Sequence, residues 1–154
     1  MDKPQLIEAL KLVHAEIAPQ EFSGKVQAKC PLVFLSPFLA TLKDDPKFNF
    51  DFLLSHTVVD RLEKGVFELI YQLYSTQNNH YLMIISEVDR AHPVVPTAGK
   101  IWQTAHWQER EIYDLFGVLY DNHPDLRRLF LEDDWVGFPM RKDYKDDFML
   151  ENPE

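Results

Sequence analysis

The chain has 154 residues, of which 45% are hydrophobic and 13% aromatic, and its formal net charge at pH 7 is -9. This length suits one domain with a core of its own, and the composition is unlike that of a disordered chain. The acidic balance argues against a nucleic-acid-binding protein, because phosphate binding needs a surplus of Lys and Arg. An anionic membrane surface would repel the chain for the same reason.

Neither a membrane span nor a secretory signal is expected. The longest mostly apolar stretch, Pro31 to Leu42, is interrupted by Ser36 and Pro37 and is shorter than the roughly 18 to 20 residues that cross a bilayer. The N-terminus reads Met-Asp-Lys-Pro-Gln and lacks the basic start and apolar run of a signal peptide. We therefore expect a chain that stays in the cytoplasm and does not insert into a membrane.

The cysteine, histidine and glycine content argues against a cofactor or metal held by this chain. Cys30 is the single cysteine, so an internal disulfide, a four-cysteine iron–sulfur cluster and a cysteine-paired zinc site cannot form within the chain. The histidines are at least 12 positions apart, which leaves no i, i+4 pair to place two ligands on one helical face. The glycines contain no Gly-x-Gly for a dinucleotide phosphate. We expect no catalytic, cofactor-binding or metal-binding residue.

The N-terminal part predicts one amphipathic helix and two short strand pieces. Asp2 and Gln5 have the form of a capping box, and apolar residues then recur at helical spacing until Pro19. Glu21 to Lys29 and Leu32 to Leu35 predict the short strands.

A brief second helix is predicted next, followed by the strand-rich middle of the chain. Ser36-Pro37 supplies an N-cap and a first-turn proline, and Asp44-Asp45-Pro46 ends this helix. The turn-like pairs Lys64-Gly65 and Asn78-Asn79 join three predicted strands, which are Phe52 to Arg61, Val66 to Ser75 and His80 to Val88. Apolar and polar residues alternate in the middle strand, as one buried face of a sheet requires. Two hairpins with helices covering one side follow from this pattern.

The last part of the chain predicts a helix and then a tail without a pattern of its own. Asp89 to Gly99 predicts a loop, and Ile101 to Phe116 predicts a third helix with Gly117 as its C-terminal stop. Beyond this glycine the apolar periodicity disappears. The chain is therefore predicted to be an α+β protein, with a small mixed or antiparallel sheet and helices packed on one face. Residues 1–117 are expected to form the globular domain, and residues 118–154 an extended irregular C-terminal tail that docks on a partner subunit.

Charged residues are concentrated in the third helix and in the tail. The helix carries Glu109, Arg110, Glu111 and Asp114, and the tail carries the pairs Arg127-Arg128 and Arg141-Lys142. One interpretation is an ordinary exposed helix, in which each i, i+4 pair contributes a few tenths of a kcal/mol. The other is that the helix charges, which lie among tryptophans, are semi-buried and neutralised by the arginines of the tail. Removing one partner of such a buried pair costs roughly 3 to 5 kcal/mol.

A resemblance to a known family covers nearly the whole chain. The run from Glu109 to Phe116, followed at fixed distances by His123, Arg127 and Leu129, resembles the signature of the 30 kDa-type subunit of respiratory complex I, an NADH:quinone oxidoreductase. The segment from Asp134 to Tyr144 is similar to the closing motif of the same family. Earlier portions also fit the family layout, namely Asp45-Pro46, the strand from Phe52 to Arg61 and the run from Trp102 to Trp107.

Two positions depart from the family pattern. Family members often have His where Phe138 stands and Leu where Met140 stands. The exchange at Met140 conserves volume, whereas Phe138 lacks the polar contact that a His would make. Many relatives are also longer at one or both ends, and in some bacteria this subunit is fused to the following large one. The chain resembles the compact, separate version.

The resemblance implies a structural subunit of the peripheral arm of complex I, in an oxidoreductase of the translocase class. In the family, FMN and the iron–sulfur clusters lie in partner subunits, and the subunit resembled here binds none of them. It docks on the 49 kDa-type subunit and on other peripheral-arm subunits, at the cytoplasmic side of the cell membrane. The residues that the resemblance assigns to the signature and the partner interface are Glu109, Arg110, Glu111, Asp114, His123, Arg127, Arg128, Trp135, Arg141, Lys142 and Tyr144.

Three other functions fit part of the pattern. Related subunits occur in membrane-bound hydrogenases and formate hydrogenlyases, and gene neighbours would separate these from complex I. A small acid–base or metal-assisted hydrolase is a remote alternative, for which the spacing places no nucleophile, oxyanion donor pair or second set of metal ligands. Its candidate residues would be His106, Glu109, Glu111, Asp114 and His123. A generic interaction domain, finally, would not recover flavin and iron–sulfur proteins together on purification.

Overall fold

A mixed five-stranded sheet and three α-helices form the fold in the computed structural model, which describes residues 1–147. The helices are α1 (Lys3–Lys11), α2 (Leu32–Asp44) and α3 (Ala105–Phe116). The strands are β1 (Ala18–Phe22), β2 (Lys25–Lys29), β3 (Phe52–Arg61), β4 (Val66–Ser75), β5 (His80–Asp89), β6 (Val94–Pro96) and β7 (Leu119–Asp121). The end of the predicted tail, residues 148–154, lies outside the described residues.

The large sheet has the strand order β1-β2-β5-β4-β3, in which β2 and β5 are parallel and the other neighbours antiparallel. In β4, Phe67, Leu69, Tyr71 and Leu73 are fully buried, as the alternation predicts. They share one core with apolar residues of all three helices, such as Leu6, Leu35 and Ile112. The predicted α+β class, with a mixed sheet and helices on one face, is confirmed.

Helix α1 begins as predicted and ends early. The capping box is present, because Gln5 N–H donates to the Asp2 carboxylate at 2.9 Å and Asp2 N–H donates to the Gln5 amide oxygen at 3.1 Å. The helix nevertheless ends at Lys11 and does not continue towards Pro19. Ile17, the last apolar residue of the periodic series, reaches the core from a turn in which its N–H bonds to the His14 carbonyl.

Helix α2 contradicts the predicted strand from Leu32 to Leu35. The helix starts at Leu32, and Pro37 lies inside it and not in its first turn. A short apolar run does not distinguish a buried strand from a buried helix. Here one helical face, formed by the buried residues Leu35, Phe38, Leu39 and Leu42, packs into the core. That burial offsets the hydrogen bond that Pro37 cannot donate.

The three predicted central strands are confirmed, and two short strands were not predicted. Helix α3 starts at Ala105, later than Ile101, and ends as predicted, with Gly117 in the left-handed conformation at φ +74°. Strand β6 lies in the predicted loop and pairs in parallel with β7, which follows Gly117. Strands of three residues are too short to show alternation in a sequence. Because β7 places the buried side chain of Tyr120 in the core, the chain just after Gly117 still belongs to the packed structure; the division at residue 117 stays a prediction.

Candidate functional site

Helix α3 buries three of the four charged residues that the sequence singles out. Glu109 and Asp114 are 0% exposed and Arg110 is 8% exposed, whereas Glu111 faces solvent. Buried charges require partners, because their removal from water is costly. For Asp114 and Arg110 the partners come from the segment after β7, so the helix and the tail form one charged site.

The carboxylate of Asp114 is the centre of this site. One oxygen accepts from the guanidinium of Arg128 at 2.9 Å, and the other accepts from three successive backbone N–H groups, those of Leu129, Phe130 and Leu131, at 3.0, 2.6 and 3.0 Å. Burial acts to raise the pKa of Asp114, but these N–H groups and Arg128 outweigh it and hold the pKa below its ordinary value. The charged carboxylate therefore fixes the backbone of the tail against the helix.

Two arginines extend this attachment through backbone carbonyl groups. Arg110 in α3 donates to the carbonyls of Arg127 and Arg128 at 3.2 and 3.0 Å, and its guanidinium lies 5.2 Å from the ring centre of Trp107. Arg128 in the tail donates to the carbonyls of Trp135 and Gly137 at 2.9 and 3.0 Å. Arg128 thus joins Asp114 to a loop seven to nine residues farther along the tail.

Farther along the tail, Arg141 and Lys142 attach it to the body of the fold. Arg141 donates to the carbonyl of Phe116, the last residue of α3, at 2.6 Å. Its guanidinium lies 5.2 Å from the ring centre of Phe67 in β4 and 5.1 Å from that of Phe138 in the tail. Lys142 contributes its backbone N–H, which donates to Asp60 at 2.9 Å. Phe138, the residue that departs from the family pattern, is therefore a cation–π partner here.

Glu109 occupies a separate buried pocket, where its partners come from the segment before α3. Its oxygens accept from the Thr97 hydroxyl at 2.6 Å and from the Ala98 N–H at 2.7 Å. Burial raises the pKa of Glu109 to about 7, although the two hydrogen bonds act to lower it. This carboxyl group joins α3 to the segment that follows β6.

The comparison with known families decides which protein class carries this site. Residues 31–147 match the model of the family described as "Respiratory-chain NADH dehydrogenase, 30 Kd subunit". The chain belongs to this family. The resemblance carried by the run from Glu109 to Tyr144 is thereby confirmed.

Curated relatives agree with this assignment to the 30 Kd subunit family, and each of the following is named as a subunit of NADH-quinone oxidoreductase. A protein of Geotalea uraniireducens is 40% identical over 87% of this chain and 81% of its own length. One of Geobacter metallireducens is 39% identical over 81% of this chain and 77% of its own length. One of Legionella pneumophila strain Corby is 34% identical over 79% of this chain and 67% of its own length.

Two solved structures share the fold of this family member. A chain of the membrane-bound sulfane sulfur reductase, an archaeal respiratory membrane complex, has a TM-score of 0.82 at 22% identity and covers 92% of this chain and 85% of its own. A trypsin-resistant fragment of Nqo5 has a TM-score of 0.70 at 24% identity and covers 82% of this chain and 100% of its own. At these identities the likeness is one of fold.

An ion-pair cluster that the sequence analysis missed also holds the tail. Arg90, which follows β5, donates to Asp60 of β3 at 2.8 Å and forms a second ion pair with Asp143 in the tail. Asp60 is buried, and it accepts from the Lys142 N–H as well. One signal was present in the sequence, because Asp60 occupies an inward position of the alternating strand β3, where a polar residue requires a partner.

A buried histidine makes a second contact that the sequence did not indicate. His56 of β3 has its Nδ1 against the Ile70 carbonyl at 3.0 Å, so Nδ1 carries the proton and Nε2 accepts from the Tyr120 hydroxyl at 2.7 Å. Burial lowers the pKa of His56 to about 4, which keeps the ring neutral. This bond fixes β7, and with it the start of the tail, to the large sheet.

His106, Glu109 and His123 lie together, as the hydrolase alternative would require. Their side-chain ligand atoms are within 4.8 Å of one another. His123 Nδ1 accepts from the Asp125 N–H at 3.0 Å, so Nε2 carries the proton and donates to the His106 carbonyl at 3.0 Å. Both nitrogens of His123 are thus engaged in hydrogen bonds within the chain. This geometry is that of a structural histidine; that the chain holds no metal stays a prediction.

The remaining predicted interface residues face solvent wholly or in part. Glu111, Arg127 and Lys142 are exposed, Trp135 is 38% exposed, and Tyr144 is half-buried. The Tyr144 hydroxyl bonds to Asp146 at 3.0 Å. The predicted residues therefore divide into a buried set that attaches the tail and an exposed set that another protein can reach.

Proposed function

We propose that this chain is the structural 30 kDa-type subunit in the peripheral arm of an NADH:quinone oxidoreductase. In this role it supports electron transfer from NADH to quinone, coupled to ion translocation, without a cofactor or active site of its own. The observation that carries the proposal is the family match over residues 31–147, together with relatives up to 40% identical that are named as this subunit. Membership in a multisubunit complex follows from the family.

The tail is the part that we assign to docking on the 49 kDa-type subunit. Between residues 130 and 140 it exposes large apolar side chains, including Phe130 at 65% and Val136 at 86%. Trp107 of α3, which contacts Arg110 of the tail attachment, is 62% exposed. Exposed aromatic and apolar side chains close to arginines are typical of interface hot spots. A protein surface that covers them would gain apolar burial at little cost in ordering the tail.

The absence of a cofactor in our proposal is supported by the state of Cys30. Iron–sulfur clusters are held by cysteine thiolates, usually four of them, and this chain has one cysteine. Burial raises the pKa of the Cys30 thiol to about 12, which keeps it protonated near neutral pH. FMN and the clusters would then belong to partner subunits.

The proposed place of the chain is the cytoplasmic side of the cell membrane, where other subunits hold it. Within residues 1–147, the longest and most apolar helices fall short of what a bilayer span requires. Attachment through the complex and not through lipid is consistent with the net charge of -9, which an anionic lipid surface disfavours.

The experiment is complementation of a strain that lacks this subunit, followed by two measurements: the amount of assembled complex on native gels and the quinone reduction per assembled complex. We expect Glu109→Ala, Arg127→Ala and Trp107→Ala to lower the amount of complex and to leave the turnover of the remainder unchanged. Phe22→Ala is the matched control, because Phe22 is 61% exposed on β1, away from α3. Normal assembly with abolished quinone reduction would instead indicate a direct catalytic role.

The cofactor part of the proposal is tested on the purified full chain by absorption spectroscopy and metal analysis. We expect no flavin, iron or zinc in stoichiometric amount. A tightly bound flavin, cluster or metal would contradict the proposal at this point, and turnover by the chain without partners would revive the hydrolase alternative.

A second candidate is the corresponding subunit of a membrane-bound hydrogenase, a formate hydrogenlyase or a related respiratory complex. It is favoured by the TM-score of 0.82 with a chain of the sulfane sulfur reductase complex. The higher identity to the subunits of NADH-quinone oxidoreductases favours the first candidate. Proteins that co-purify from the native membrane separate the two, since a flavin-containing NADH-oxidising subunit belongs to complex I and a nickel–iron hydrogenase subunit does not.

A further inference from the structure

The segment Glu132–Val136, here called the acidic loop, is held in one position although it has no regular secondary structure. Its turn is closed by the Trp135 N–H, which donates to the Glu132 carbonyl at 3.0 Å. Arg128, itself paired with the buried Asp114, donates to the carbonyls of Trp135 and Gly137. The backbone is thus fixed from the inside, and a fixed loop loses little conformational freedom when it binds.

The side chains of the acidic loop point away from this attachment. Val136 is 86% exposed, Trp135 is 38% exposed, and the three preceding acidic residues, Glu132, Asp133 and Asp134, are all exposed. A tryptophan and a valine displayed side by side on a fixed turn are unusual for a surface that meets only water. An apolar pocket would remove both from solvent.

The charges around these apolar side chains restrict the chemistry of the pocket. Within residues 1–147, no Lys, Arg or His forms an ion pair with Glu132, Asp133 or Asp134. Three adjacent like charges repel one another, and a surface with Lys and Arg would relieve this repulsion. A second copy of this chain, with a net charge of -9, supplies the wrong sign, and so does an anionic lipid surface.

We propose that the acidic loop inserts Trp135 and Val136 into an apolar pocket bordered by Lys and Arg side chains on the partner subunit. This inference rests on the proposed function, in which the partner is the 49 kDa-type subunit. The apolar pair holds the complex together once formed, and the acidic residues accelerate its formation by long-range attraction to the basic border. The two contributions appear in different rate constants and can be measured separately.

The charge contribution is tested with the full chain and the purified 49 kDa-type subunit by measuring association and dissociation rates at low and at moderate salt. The variant Glu132→Gln/Asp133→Asn/Asp134→Asn should associate about tenfold more slowly at low salt and show a weaker salt dependence. The matched control, Glu16→Gln/Glu63→Gln/Glu87→Gln, removes the same charge from exposed positions elsewhere and should keep most of the association rate.

The apolar contribution is tested with Trp135→Ala, for which we expect an affinity at least about tenfold lower, mainly through faster dissociation. Leu62→Ala is its control, since Leu62 is 42% exposed beyond β3. If the unchanged chain binds and the loop variants behave like their controls, the loop inference fails while the proposed function stands. If the unchanged chain does not bind the 49 kDa-type subunit, the proposed docking itself fails. Self-association that disappears in the loop variants would overturn the assignment of the partner.

Discussion

Replacing Glu109 by Gln isolates the energetic effect of burying a carboxyl group in α3. Glutamine keeps the shape of the side chain and both hydrogen bonds, because its carbonyl accepts from the Ala98 N–H and its amide donates to the Thr97 hydroxyl oxygen. The substitution therefore removes the titration and leaves the contacts. We expect its effect on stability to depend on pH, and the sign follows from the direction of the pKa shift.

The pKa of Glu109 is raised by burial from 4.5 to about 7. Below pH 4.5 the carboxyl group is protonated in both the folded and the unfolded chain, and its titration does not change the free energy of unfolding there. Between pH 4.5 and 7 the unfolded chain releases this proton while the folded chain keeps it, so stability falls as the pH rises. A shift of about 2.5 units corresponds to about 3 kcal/mol, which is fully lost above pH 7.

The assay is urea unfolding of the full chain and of Glu109→Gln at several pH values from about 4.5 to about 8, a range that spans the two pKa values. The variant should gain about 3 kcal/mol on the original chain between the two ends of this range, whatever constant offset the substitution adds. Glu111→Gln removes a charge from an exposed position of the same helix and should show a much smaller change with pH. A difference between Glu109→Gln and the original chain that does not vary with pH would refute the raised pKa and the burial argument behind it.

Three further changes test the attachment of the tail and the state of the thiol. Asp114→Asn leaves a buried guanidinium without its counter-charge, so the free energy of unfolding measured in urea should fall by about 3 to 5 kcal/mol. Gly117→Ala places a Cβ 2.5 Å from the ring of Phe138 at φ +74°, and it should lower the thermal midpoint more than Gly65→Ala, which has a similar φ and open space around it. Cys30, whose pKa is raised to about 12 by burial, should react with a thiol reagent only after denaturant is added; rapid reaction of the native chain would contradict this.

The sequence predicted the elements whose residues repeat in register with their own geometry. Strand β4 alternates over its whole length, and the structure buries the apolar positions of its inward face. The prediction failed where local chemistry and tertiary burial disagree. Pro37 indicated the start of a helix, but the buried face that includes Leu35 and Leu42 extends the helix to both sides of the proline. Propensity is a weak guide when packing determines the outcome.

The candidate site was predictable to the extent that its residues lie in a motif. The family signature brought Asp114, Arg128 and Arg141 to attention, but nothing in their spacing shows that they bind backbone groups. Arg90 was missed because it stands alone after β5 and becomes part of the site only when β3 and the tail meet beside it. Contacts between residues 53 positions apart in the chain are a product of the fold and leave no periodic trace.

The partners of the buried charges explain how a tail without an apolar pattern follows a defined path. Asp114 binds the N–H groups of three successive residues, and Arg128 and Arg141 bind carbonyl groups. Every residue except proline offers the same backbone atoms, so these attachments place almost no demand on the side chains that they fix. The side chains of Phe130 and Trp135 are therefore not needed to hold the tail in place. Their exposure has a cost in water unless another surface covers them, and for this reason we assign them to the partner and the buried charges to the fold.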